Sequence, residues 1–65
     1  MDKALEIFRL TTTLFPDSFN VYDSYGEALL KAYNKEKAIK MYEKSIELNP
    51  KNENGKEVLR QLKEE

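Results

Sequence analysis

The sequence predicts an all-α fold of antiparallel helix–turn–helix units. Apolar residues recur at spacings of three and four, and no segment alternates with period two over strand length. The only prolines, Pro16 and Pro50, lie 34 residues apart, a fixed offset that calls for a search for internal repeats. At that offset Lys3, Ala4, Leu14 and Pro16 recur as Lys37, Ala38, Leu48 and Pro50, while Leu5 and Phe8 find counterparts in Ile39 and Tyr42. The class matches fall on one helical face, which chance rarely arranges.

Residues 2–15 read as the first helix, with Ala4, Leu5, Phe8, Thr11 and Leu14 on its packing side. Pro16 cannot continue it, having no N–H and a ring that clashes with the preceding turn. Asp17 or Ser18 then offers a side-chain oxygen to cap the next helix, residues 19–32, which carries Tyr22, Tyr25, Ala28, Leu29 and Ala32 on one side. The third helix, residues 35–48, presents Ala38, Ile39, Tyr42, Ser45, Ile46 and Leu48. Asn49-Pro50 stops it, and Asn52 is placed to cap a last helix over about 53–64 carrying Val58, Leu59 and Leu62.

Sixty-five residues make one small domain at most, and a chain this short buries only about 60% of its unfolded surface. It has no cysteine and no histidine, so disulfides, thiolate or imidazole metal sites, a Ser-His-Asp triad and a Cys-His pair are all excluded. The remaining chemistry points away from an enzyme and implies no cofactor and no metal. Ser24 has no base in reach; Ser18 is better read as a cap and Ser45 as a small packing residue. Asp2, Glu6, Glu36 and Glu43 read as helix-surface partners of lysines rather than as acid–base groups. Neither Gly26 nor Gly55 has a glycine neighbour to make a phosphate-cradling loop. The net charge of −1 gives no general attraction to nucleic acid or anionic lipid. There is also no apolar run of about 18 residues for a membrane helix and no signal-type apolar segment after Met1. The tyrosines and phenylalanines fall mostly on packing faces without a basic groove, so they read as core and not as an RNA-stacking platform.

The stretch from Phe19 to Asn52 resembles one full unit of the tetratricopeptide repeat (TPR) family. Tyr22, Tyr25 followed by Gly26, and Leu29 stand where that family's first helix carries its signature, and Ala38, Tyr42, Ser45 and Pro50 where its second does. Gly26 and Ala38 would let two helices approach closely, with Tyr22 and Tyr42 beside the contact. Residues 1–18 resemble the second helix of a preceding repeat, with Ala4, Phe8, Thr11 and Pro16 in register. Residues 53–65 resemble the solvating end helix of such an array, with Lys56 and Arg60 in place of aromatic and glycine and charges from Lys63 to Glu65. The resemblance implies a single TPR-like domain divided 1–18, 19–52 and 53–65, expected to be a C-terminal piece of a larger, bacterial protein. Leu5, Ile7 and Phe8 are then at risk of exposure.

By the same likeness the chain is expected to be a non-catalytic protein-interaction and assembly module. The implied groove residues are Asn20, Asp23, Glu27 and Lys31, with Asn54, Glu57 and Gln61 on the end helix. This acid-rich set disfavours a free C-terminal carboxylate and favours a neutral or basic protein or peptide segment. Ordinary solvated helix residues are the competing reading of the same set. An alternative role is an accessory tail of a β-lactamase-type serine hydrolase, which the wording from Val21 to Ala28 resembles. The turn departs from the family at Tyr33, where glycine is usual, followed by Asn34. Either Tyr33 or Asn34 takes the left-handed conformation at some cost, or the helices merge across residues 32–35. The merged form implies a domain-swapped homodimer, and this hinge argument makes a homodimer the expected assembly.

Overall fold

A computed structural model describes residues 3–64, and most of them lie in four helices. They are α1 (Lys3–Leu14), α2 (Phe19–Lys31), α3 (Lys35–Leu48) and α4 (Glu53–Glu64). Each runs within one or two residues of its expected span. Asp2 and Glu65, to which the sequence assigns a surface ion pair and part of the charged end, lie outside the described residues.

The α2–α3 hairpin forms the centre. Tyr25, Leu29 and Ala38 make its buried cluster, and Leu5, Phe8, Leu30 and Met41 pack around it half-buried. Ala38 is 0% and Tyr42 3% exposed. The close approach follows from Gly26: a Cβ there would stand 2.8 Å from Cε2 of the Tyr42 ring. Lys37 covers the other side of the cluster, its Nζ 5.5 Å from the Tyr25 ring centre. Ala32, expected on the packing side, is exposed instead, because α2 ends at Lys31 and Ala32 serves as its cap.

The turn is closed, so the merged helix across residues 32–35 is not the form this structure takes. Tyr33 adopts φ 61°, the left-handed conformation, and is 96% exposed. The Asn34 N–H donates to the Leu29 carbonyl at 2.8 Å and the Tyr33 N–H to Leu30 at 3.1 Å. Those paired bonds satisfy carbonyls that the end of α2 would otherwise leave open, which offsets the strain at Tyr33. Asn34 then caps α3 by accepting the Lys37 N–H at 3.3 Å. Ser18 occupies the corresponding position before α2 but makes no side-chain cap bond, contrary to expectation.

Asn52 does more than cap α4. Its Oδ1 accepts the Gly55 N–H at 3.1 Å, which directs its Nδ2 to Ser45 Oγ at 2.9 Å and Asp23 Oδ2 at 3.0 Å. Ser45, fully buried, donates its own hydroxyl hydrogen bond to the Phe19 carbonyl at 3.0 Å. Three helices thus meet at one satisfied polar cluster, which would be costly if any member were missing. A second tie, Lys63 to Glu43 at 3.2 Å, joins the far end of α4 to α3.

Candidate protein-interaction surface

Asn20, Asp23, Glu27 and Lys31 recur at three- and four-residue spacings and share one face of α2. Asn20, Glu27 and Lys31 are exposed, and Asp23 is half-buried. Their polar groups are partly engaged: Asp23 accepts from Asn52, and Glu27 pairs with Lys31 at 3.7 Å. The acidity of the face reaches the neighbouring helix. Burial first, and then the carboxylates of Asp23 and Glu27, push the Tyr42 hydroxyl up to about 12.

On α4, Asn54, Glu57 and Gln61 are exposed. Glu57 is held by Arg60, whose Nε donates at 3.2 Å, and by the Gln61 amide at 3.3 Å. The hydrogen bonds and charge of Arg60 lower the Glu57 carboxyl from its ordinary range, and the Arg60 guanidinium is raised in return. Among the described residues, no hydrogen bond or ion pair joins this row directly to that on α2. The link between the two helices is Asn52, a residue that sequence reasoning treats only as a cap.

A cleft of about 330 Å³ opens between α1 and α2, lined by Ala4, Phe8, Ser24, Glu27, Ala28 and Lys31. Its lining combines the apolar Ala4, Phe8 and Ala28 with one hydroxyl, one acid and one base. Of the groove residues read from the sequence on α2 and α4, Glu27 and Lys31 line this cleft, whereas Asn20, Asp23, Asn54, Glu57 and Gln61 do not. The packing residues divide in the same way. Tyr25, Gly26, Leu29, Ala38, Tyr42 and Ser45 are buried, Phe8 and Tyr22 half-buried, and Ala4 and Pro50 exposed.

A glycine-seated helical hairpin flanked by two further antiparallel helices defines the class: a helical-repeat protein. Residues 19–52 match the tetratricopeptide repeat family, and the chain belongs to it. The matched span runs from the first residue of α2 to Asn52. No curated protein and no solved structure matches the chain.

Proposed function

We propose that this chain is a non-catalytic protein-interaction module that takes a neutral or basic peptide segment in the α1–α2 cleft. The supporting observation is the cleft itself, whose lining joins Ala4, Phe8 and Ala28 to the carboxylate of Glu27, with Asp23 one turn away on the same face of α2. With two acids, Asp23 and Glu27, against the one base Lys31 on this face of α2, the net negative charge disfavours a free C-terminal carboxylate and favours a lysine or arginine. The module also associates through its helix faces, with itself or with a neighbouring domain.

Nuclear magnetic resonance titration of the labelled chain with peptides of matched length tests the reading. Basic and neutral amidated peptides should move the amides of Ala4, Phe8, Ser24 and Ala28, and Glu27→Lys should reverse the preference toward acidic peptides. Stronger binding of acidic or free-carboxylate peptides by the unmodified chain, or no movement with any of them, overturns it.

A further inference from the structure

The outer side of α1 is apolar and uncovered among the described residues. Ile7, Leu10 and Leu14 follow one another at helical spacing, all more than half exposed, and Phe15 continues the strip. The threonines beside them bring no free donor: Thr11 Oγ1 donates to the Ile7 carbonyl at 2.7 Å and Thr12 Oγ1 to Arg9 at 2.6 Å. At the equivalent register on α3, Met41, Lys44 and Leu48 are half-buried, so α1 stands out as the helix whose strip lacks cover.

We infer that this strip is the contact face of a twofold homodimer in which α1 packs antiparallel on α1 of a second copy. The inference rests on the reading that the module works through its helix faces, and it specifies the face and the occupant.

Charge decides the symmetry. The opposite end of the molecule, the outer side of α4, carries Lys56, Glu57, Arg60 and Glu64 in exposed ion pairs. Stacking α4 of one copy on α1 of the next would bury those charges against leucines, a heavy desolvation cost. Pairing α1 with α1 avoids it and closes the assembly at two copies. An antiparallel crossing centred near Leu10 sets Ile7 opposite Leu14 of the second copy. The same crossing brings Lys3 near Asp17 of the second copy, twice by symmetry. The four apolar side chains leave on the order of 500 Å² open, a large part of the roughly 800 Å² per partner in a standard interface.

The test is sedimentation equilibrium of the full chain, with circular dichroism to follow helix content. The chain should be dimeric at about 100 μM, as a contact of this size allows. Leu10→Lys, which sets two like charges face to face at an exposed position, should make it monomeric with unchanged helix content. Should that variant unfold, Lys3→Glu and Asp17→Lys serve instead: each alone should weaken the dimer about three- to tenfold, and the pair together should restore it. Tyr33→Gly should remain dimeric, since the contact does not use the hinge. A monomer at 500 μM, larger assemblies, a dimer unmoved by Leu10→Lys, or a Tyr33→Gly monomer overturns the inference. The peptide titration on the Leu10→Lys variant still reports on the cleft, so the two readings fail separately.

Discussion

The Tyr42 ring occupies the space that any side chain at Gly26 would need, with Cε2 and Cδ2 at 2.8 and 2.9 Å from the missing Cβ position. Tyr42 is 3% exposed and has nowhere to retreat. Gly26→Leu is therefore expected to destabilise the fold by about 3 kcal/mol, well beyond any gain in helix propensity. Chemical denaturation measures this directly; a midpoint close to that of the parent would mean that α2 and α3 do not meet at Gly26.

Asn52 and Ser18 make a matched pair, since they hold equivalent positions 34 residues apart but only Asn52 bonds through its side chain. Asn52→Ala should cost about 2–3 kcal/mol, combining a lost cap with unpaired groups at Ser45 and Gly55. Ser18→Ala should change stability by less than about 0.5 kcal/mol. Thermal unfolding of the two variants side by side checks the contrast, and equal losses would count against it.

Tyr33 is held at φ 61° with its side chain 96% exposed, so only the backbone bonds to Leu29 and Leu30 offset the strain. Glycine relieves the Cβ clash but is freer in the unfolded chain, so Tyr33→Gly should stabilise by a net of about 0.5–1 kcal/mol. Urea titration reads the shift. A loss of stability would imply that the ring contributes to the fold despite its exposure.

The folded state holds the Tyr42 hydroxyl at about 12, above its ordinary 10.0. Because the folded form binds this proton more tightly, its stabilising contribution is complete below pH 10 and declines as pH rises through 12. The loss should be on the order of 1–2 kcal/mol after allowance for screening by water at the acidic face. Comparing unfolding of the parent and Tyr42→Phe between pH 9 and 12 isolates this component, which should be missing from the variant. Asp23→Asn should shift it toward lower pH.

The helices were legible because breakers and apolar spacing agree: Pro16, Asn49-Pro50 and Asn52 sit at boundaries that the structure respects within a residue or two. The glycine contact was legible because the positions of Gly26 and Tyr42 imply each other once the register is known. Long-range polar pairing was not. Ser45 reads as a small residue, and only the fold reveals that its hydroxyl joins Phe19 to Asn52 across 26 and 7 positions of sequence. The cleft between α1 and α2 was not legible for the same reason, since Ala4 and Phe8, which read as packing residues, line it only once α1 lies against α2. At Tyr33 the sequence announced strain but could not choose its outcome, which depends on the carbonyls of Leu29 and Leu30 finding donors.

The polar cluster around Asn52 binds α2, α3 and α4 but leaves α1 outside it, attached chiefly through Leu5 and Phe8. The molecule accordingly has two grades of cohesion. The shared polar bonds should make the three helices open together, and α1, without a share in them, is expected to open at a smaller free energy. Backbone amides along α1 would exchange with solvent ahead of those in α3, and a protease would find Arg9 before it found Lys40. Whatever rests against α1 would therefore act as a clasp, holding in place one wall of the cleft beside it.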